Sequence, residues 1–193
     1  MKIFDVDEFQ AFDWLAEYES LCSQISPSQN YKDLLLNQYA IVPISWLEQA
    51  EKVEALNIAH FGENQLVGIR CENKSEQMLI DFKFRLFQMH AAFVQYFLNI
   101  VMKHLEKRFV KETSVIKFDH IRQLIAEIIS DLEMSKMMRG VEQGTEQLNV
   151  GHDCLLDAAL KLMKLPGGRA FLKGSVLELV WILRAFNNVY YVS

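Results

Sequence analysis

The chain has 193 residues, of which 51% are hydrophobic, with only 3 prolines and 8 glycines. This balance excludes an intrinsically disordered chain and supplies a core for one domain, or for one domain with a small appendage. The net charge is −5, from 20 basic and 25 acidic residues. That charge predicts no basic field of the kind that favours nucleic acid or anionic lipid.

Nothing in the sequence resembles an export signal or a membrane anchor. The first ten residues carry three acids and no apolar segment typical of a signal peptide. No apolar run approaches the roughly 20 residues that a membrane-spanning helix needs. The three cysteines, Cys22, Cys71 and Cys154, have neither disulfide nor zinc-ligand spacing. We therefore expect a soluble, cytoplasmic protein without a membrane span and without a nucleic-acid partner.

The first third of the chain has mixed patterns. Apolar residues at three- and four-residue steps predict an amphipathic helix over residues 5–25, which ends before Pro27. A further short helix is expected over residues 31–38. Ser45, with Glu48 three residues later, has the pattern of a capping box and predicts a helix through residue 56.

Two segments of this region favour extended structure. Residues 39–44 are rich in β-branched side chains but include Pro43, which indicates an edge strand or an extended link. Residues 66–70 are the second predicted strand. The polar run over residues 72–75 is expected to mark a boundary, which separates a mostly helical N-terminal appendage, residues 1–74, from residues 75–193.

Helical periodicity is strong in the second part of the chain. It predicts four helices, and the apolar stripe of the first consists of Leu79, Phe82, Leu86, His90, Phe93, Phe97, Ile100 or Val101 and Leu105. The stripe of the second consists of Phe118, Ile121, Leu124 or Ile125, Ile128 and Leu132, and that of the third, within residues 149–165, of Val150, Cys154, Leu155, Ala158 and Leu162. The fourth helix, within residues 175–190, has the apolar residues Val176, Leu177, Leu179, Val180, Trp181, Ile182, Leu183 and Phe186. The last helix is apolar nearly all round. Short links between helices of this length predict a mainly α fold, an antiparallel four-helix bundle.

Several motifs in this part resemble the acyl-CoA dehydrogenase family. The segment beginning Phe118-Asp119-His120-Ile121 and ending Glu133-Met134-Ser135-Lys136 is similar to the family's F-Q-x-I/V, L-A-x-M, E-x-A-R helix. Pro166-Gly167-Gly168-Arg169-Ala170-Phe171 is similar to the family's Q-x-x-G-G-x-G-F/Y loop, and Arg108 resembles the arginine that opens its R-x-x-F-G segment. The resemblance covers residues 75–193, which would correspond to the family's C-terminal helical domain.

The resemblance implies a place near a flavin. Carried over to this sequence, the cofactor-binding residues would be Arg108, Gly167, Gly168 and Arg169. The glycine pair also reads as a helix stop that needs a positive φ angle. With Arg169 and Lys173 beside it, the loop is also a candidate anion site for a phosphate of coenzyme A or of a phosphopantetheine carrier.

The chain departs from the family at the positions that carry flavin chemistry. Lys111 and Glu112 occupy the F-G positions, and Lys164 replaces the glutamine that contacts the flavin. Tyr191 stands where many members have the glutamate base, and a tyrosine with a pKa of about 10 is a poor base. Ile182 and Leu183 replace an R-D pair, and the family's flavin-binding N-terminal and middle domains would need about twice this length. The sequence therefore predicts no catalytic residue and no flavin bound by the chain alone.

The remaining chemistry-bearing residues have ordinary interpretations. His90 and His104 share an apolar helix face, which indicates a core or interface role. His60, His120 and His152 have no partner at metal-ligand spacing, so no metal site is predicted. Met134, Met137 and Met138 are expected to fill a core or an interface.

Three functions remain open. The favoured hypothesis is a divergent pseudoenzyme of acyl-thioester metabolism that oligomerises with itself or with a full-length acyl-CoA dehydrogenase. The second is an oxidoreductase whose FAD site is completed by a partner. The third is a non-redox module that binds an acyl thioester or an acyl carrier in an apolar pocket between helices.

Overall fold

The computed structural model describes residues 14–28, 34, 37–43, 45–46, 54–55, 66–75, 80–138, 145–167 and 176–191. The first helix, α1, spans Trp14–Ile25 and buries Tyr18, Leu21 and Cys22. It ends two residues before Pro27, as the sequence predicts. The predicted start of this helix, residues 5–13, lies outside the described residues.

Three antiparallel strands follow in the order β1-β3-β2, where β1 is Asn37–Pro43, β2 is Glu54–Ala55 and β3 is Leu66–Ser75. Both predicted strands are confirmed, and Pro43 lies at the end of an edge strand, where its missing N–H breaks no ladder. Two helix predictions are contradicted at their C-terminal ends, because residues 37–38 belong to β1 and residues 54–55 belong to β2. Residues 45–46 form a 3-10 turn, and the rest of the two predicted helices, apart from residue 34, lies outside the described residues.

The open edge of β1 is covered by two buried tyrosines. The Tyr18 hydroxyl donates to the Ile41 carbonyl oxygen at 2.7 Å, and the Ile41 N–H donates to the Tyr190 hydroxyl oxygen at 2.9 Å. The Tyr190 hydroxyl in turn donates to the Leu34 carbonyl oxygen at 3.3 Å. Since buried backbone groups must find hydrogen-bond partners, these phenols satisfy an edge that would otherwise be unpaired.

The helical part begins after the sheet, and its described residues contain four α-helices. They are α2, Ile80–Glu106; α3, Asp119–Met137; α4, Thr145–Leu162; and α5, Val176–Phe186. A two-residue hairpin, β4 at Phe109–Val110 and β5 at Thr113–Ser114, and a 3-10 turn at Val115–Lys117 connect α2 to α3. A π-helical turn at Asn187–Tyr191 continues α5. The protein is mainly helical, as predicted.

The predicted apolar stripes largely form the core. Phe82, Leu86, Phe93, Val101 and Leu105 of α2 are buried, whereas Phe97 is half-buried. The helices that follow add a second set of buried residues, Ile125, Ile128, Leu132, Leu155, Ala158, Leu162, Leu179 and Leu183. Val150 was predicted to face inward and is instead 50% exposed, because the buried face of α4 runs along Leu148, His152 and Leu155, on another side of the helix. Trp181 also faces solvent, so α5 is not covered on every side.

The sheet, α1 and the later helices share one buried cluster. Tyr18 packs edge-on against Phe186 with ring centroids 5.0 Å apart, and Phe82 packs edge-on against Tyr190 at 5.3 Å. These residues join the N-terminal segments to α2 and α5 in the same core. The division at residue 75 into two regions stays a prediction. Among the helices that the structure describes, none has the length and hydrophobicity to cross a bilayer.

An apolar groove and a buried histidine pair

A groove of about 400 Å³ opens between the end of α2, the 3-10 turn and the first half of α3. It is lined by five apolar and two basic residues, namely Met102, Ile116, Ile125, Ala126, Ile129, Lys117 and Arg122. Lys117 and Arg122 are exposed, and Ile129 is 43% exposed, so the groove is open to solvent along α3. Its size lies at the lower end of the range for small-molecule sites.

The chain between α2 and α3 builds this groove through local hydrogen bonds. The Ser114 hydroxyl lies within bonding distance of two carbonyl oxygens at the end of α2, those of Leu105 at 3.2 Å and Glu106 at 2.9 Å. It thereby satisfies carbonyls that have no partner within the helix. The 3-10 turn then brings Lys117 beside the first turn of α3, where the backbone N–H of Arg122 donates to the Phe118 carbonyl oxygen at 3.0 Å. Two cations therefore flank an apolar floor.

A second feature, a chain of buried hydrogen bonds, crosses the helices elsewhere. Nδ1 of His90 on α2 lies 3.0 Å from Nε2 of His152 on α4, and Nδ1 of His152 lies 3.0 Å from Oδ1 of Asn187 in the π-helical turn. Both histidines are fully buried. Nδ2 of Asn187 donates to Asp153 Oδ1 at 3.4 Å, which fixes the orientation of its amide.

These contacts define the tautomers of both rings. Because Oδ1 of Asn187 can only accept, His152 carries its proton on Nδ1 and offers Nε2 as an acceptor. Nδ1 of His90 is then the donor to His152, and Nε2 of His90 is a buried acceptor. That Nε2 atom has no hydrogen-bond partner in the described part of the chain.

The surroundings keep both rings neutral. Burial lowers the pKa of His90 well below 6.5, and the adjacent His152 lowers it further. Burial lowers the pKa of His152 from 6.5 to about 3, against the opposing effect of its hydrogen bond to Asn187. A protonated imidazole here would also lie in an apolar core, which disfavours any charged form.

Tyr191 and Lys83 complete the surroundings of His152. The Tyr191 ring stacks on His152 with centroids 4.0 Å apart, and its hydroxyl donates to the Lys83 carbonyl oxygen at 2.9 Å. Nζ of Lys83 lies 5.6 Å from the centroid of the same ring, and burial lowers the pKa of this amine. Burial also raises the pKa of Tyr191 well above 10, which takes this phenol further from the range of a useful base.

The residues predicted to hold a cofactor lie apart from both features or outside the described chain. Arg108 is exposed just before β4, and its carbonyl oxygen accepts the Val115 N–H at 2.8 Å. Gly167 is exposed after α4 and has a φ angle of 63°, which confirms the predicted need for a positive φ. Gly168 and Arg169 lie outside the described residues.

Sequence reasoning found His90 but missed its partner. A core role for His90 is confirmed. His152 was considered only for metal-ligand spacing along the chain, whereas its contact with His90 joins two helices, and the two histidines are 62 positions apart in sequence. The groove was missed in the same way, because its walls come from segments that no single periodicity links. In the described ranges, no group of three or more histidine, cysteine, aspartate or glutamate side chains is placed to hold a metal ion.

Comparison with known proteins adds no relationship: the chain matches no protein-family model, no curated protein and no solved structure.

Proposed function

We propose that the protein is a non-redox module that binds an acyl chain bearing an anionic group, such as an acyl thioester of coenzyme A or of an acyl carrier. The observation that carries the proposal is the groove with its apolar floor and its two cations, Lys117 and Arg122. Each methylene buried against such a floor contributes at most about 0.8 kcal/mol. The cations would attract the carboxylate or phosphate of the ligand.

The side chains that line the groove also favour binding over catalysis. Its lining offers aliphatic carbon, one guanidinium and one ammonium, with no carboxylate, thiol or imidazole among the lining residues. Guanidinium and ammonium groups recognise phosphates and carboxylates well but are poor proton acceptors. Binding therefore suits this arrangement better than catalysis does.

A more specific description of the helical fold is also proposed. We infer that the four helices after residue 75 form an antiparallel bundle related to the C-terminal domain of acyl-CoA dehydrogenases. In support, α4 contacts α2, α3 and α5, and α2 also contacts α5. The Asp131 carboxylate on α3 accepts a hydrogen bond from Nζ of Lys161 on α4 at 2.6 Å, which ties these two helices together.

The first prediction concerns this groove. Titration with lauroyl-CoA and with laurate, followed by calorimetry, should give saturable binding to the wild-type protein. Changing Arg122 to Glu should weaken lauroyl-CoA binding about tenfold, because it places a carboxylate beside the ligand's anionic group. Ile129→Glu should weaken both ligands by a similar factor, since it puts a charge on the apolar wall.

The matched control is Arg184→Glu, an exposed charge reversal on α5 outside the groove. It should bind both ligands as the wild type does. If Arg122→Glu and Ile129→Glu both bind the ligands with wild-type affinity, the groove is excluded as the binding site. Incubation with FAD followed by desalting should leave no flavin absorption band. A band retained by the protein alone, or only in a mixture with a dehydrogenase encoded beside it, would favour the oxidoreductase hypothesis instead.

The oligomerising subunit favoured by the sequence is the second candidate, and exposed apolar side chains support it. Trp181 is 55% exposed on the otherwise apolar helix α5, and Met137 is 73% exposed at the end of α3. Large exposed apolar residues, and tryptophan and methionine in particular, are enriched at the centres of protein interfaces.

The second prediction tests this candidate. If α5 carries an interface, light scattering should detect an oligomer of the wild-type protein, and Trp181→Glu should shift it to the monomer. The control is Val150→Glu, which alters an equally exposed apolar residue on α4. A wild-type protein that stays monomeric at all accessible concentrations would exclude self-association through Trp181.

A further inference from the structure

The hairpin between α2 and α3 places two apolar side chains in solvent. Phe109 is 61% exposed and Val110 is 51% exposed, although consecutive strand residues point to opposite faces. Both side chains of β4 are therefore more than half exposed. The turn at the tip of the hairpin, Lys111–Glu112, is charged, and the two apolar side chains lie beside it.

The hairpin that carries these two side chains is held in a defined position. Phe109 pairs with Ser114 and Val110 pairs with Thr113, while the Ser114 hydroxyl and the Val115 N–H fasten the hairpin to the end of α2. The connecting turn places Lys111 at a φ angle of 57°. A side chain in this left-handed conformation is strained, and such strain is often found where a segment has a function.

The charge around the hairpin is opposite to that of the whole chain. Between residues 103 and 122 there are six basic and three acidic residues, whereas the complete chain has 20 basic and 25 acidic ones. All six basic side chains are exposed, namely Lys103, Lys107, Arg108, Lys111, Lys117 and Arg122. The ion pairs formed by the described residues, Arg85–Asp81, Lys136–Glu133 and Lys161–Asp131, use other cations. The net charge therefore conceals a local excess of three basic residues, which the expectation of no basic field overlooked.

We infer that strand β4 and these six cations, here called the basic hairpin surface, dock peripherally on an anionic lipid bilayer. Phe109 and Val110 enter the boundary between headgroups and acyl chains, where an aromatic and an aliphatic side chain lose their exposure to water. The cations remain among the anionic headgroups. Anionic headgroups over an acyl layer match both the cations and the two adjacent apolar side chains, and an acidic protein surface is the alternative that the vesicle test separates.

This inference goes beyond acyl binding and does not depend on it, although Lys117 and Arg122 also line the groove. The shared residues place the groove mouth close to the docked surface. An amphiphile leaving the bilayer would then meet the two cations without crossing bulk water.

The third prediction tests docking by co-sedimentation with vesicles. The wild-type protein should bind vesicles of phosphatidylcholine containing about one third phosphatidylserine, should not bind pure phosphatidylcholine vesicles, and should dissociate as salt increases. Neutralising one cation, as in Lys111→Gln, should weaken partitioning about fivefold. Phe109→Ser with Val110→Ser should weaken it about tenfold or more.

Two controls and one direct measurement accompany the test. Val150→Ser removes an exposed apolar residue elsewhere, and Arg184→Gln removes an exposed cation elsewhere. Both should bind as the wild type does, and circular dichroism should show unchanged melting for every variant. The emission of a Phe109→Trp variant in a Trp181→Phe background should be quenched by lipids with brominated acyl chains, more strongly than that of the background alone, which keeps Trp14 and Trp46.

The outcomes separate the membrane from other partners. Full binding by the Phe109→Ser, Val110→Ser variant would assign the basic hairpin surface to an acidic macromolecule and overturn the proposal. So would equal binding to vesicles with and without phosphatidylserine, an absence of binding at low salt, or a Phe109→Trp emission that the brominated lipids leave unchanged.

Discussion

Acidification from about pH 7.5 to about pH 4 should lower the free energy of unfolding by roughly 3 kcal/mol through His152 alone, because one pKa unit corresponds to about 1.4 kcal/mol. The pKa of this buried ring falls from 6.5 in the unfolded chain to about 3 in the folded one. The unfolded state therefore binds the proton first as the pH falls below 6.5. Stability is complete above that value and is lost progressively towards pH 3. His90, whose pKa is lowered for the same reason, adds to the loss.

Urea unfolding at a series of pH values measures this effect, and a variant isolates it from the carboxylates. His152→Gln should be less stable than the wild type at neutral pH but should lose less stability on acidification. His120→Gln alters an exposed histidine and should leave the pH profile unchanged. If His152→Gln loses as much stability between pH 6.5 and pH 4 as the wild type does, the histidine pair does not cause the acid sensitivity. The charged groups nearest to the pair, Lys83 and Asp153, stay unchanged in both variants.

Tyr190→Ala should destabilise the protein by about 4 kcal/mol, because it opens a cavity in the core and removes a buried hydroxyl. This fully buried ring packs against Phe82, and its hydroxyl accepts the Ile41 N–H and donates to the Leu34 carbonyl oxygen. Tyr190→Phe keeps the ring and leaves the Ile41 N–H without this acceptor, so it should cost about 2 kcal/mol. Chemical denaturation of both variants gives the two values.

The control for this pair is Tyr39→Phe, which removes the hydroxyl of a tyrosine that is 43% exposed on the same strand. Its effect should stay within about 0.5 kcal/mol. A Tyr190→Phe variant as stable as the wild type would mean that water replaces the phenol at the sheet edge. Hydrogen exchange at the Ile41 amide distinguishes the cases, since loss of the phenol should accelerate exchange at this position in particular.

The helices after residue 75 were predictable because each carries its own signal. Apolar residues recur at helical spacing through α2, α3, α4 and α5, and these stripes are largely the faces that the structure buries, with Val150 and Trp181 as exposed exceptions. Val150 lies in the second turn of α4, between the buried Leu148 and His152 but on another side of the helix. Apolar character alone could not show which of these neighbouring positions faces inward.

The sheet was predictable only in part, because strand pairing is a long-range property. The β-branched runs at residues 39–44 and 66–70 identified two strands. The polar residues 72–75 gave no sign that β3 continues through them, and residues 54–55 read as the end of a helix. Pairing with β3 outweighs local preference at these positions, which is typical of short strands.

The candidate sites were the least accessible to sequence reasoning. A groove made from α2, a 3-10 turn and α3 exists only once those segments meet, and a hydrogen bond from His90 to His152 requires two helices in register. The basic hairpin surface could have been predicted from the sequence, because cations flank Phe109 and Val110 on both sides in the run from Lys107 to Lys111. Averaging the charge over the whole chain concealed it. The proposed relationship to acyl-CoA dehydrogenases stays a prediction.

The π-helical turn at Asn187–Tyr191 makes the end of α5 sensitive to its length. Two adjacent tyrosines are buried there with different partners: Tyr190 reaches the sheet edge, and Tyr191 reaches His152 and the Lys83 carbonyl oxygen. A single extra residue in a helix is the usual origin of such a wide turn. Deleting one residue would restore a regular helix but rotate everything beyond it by about 100°. One of the two tyrosines would then lose its place, so this segment should tolerate conservative substitution far better than insertion or deletion.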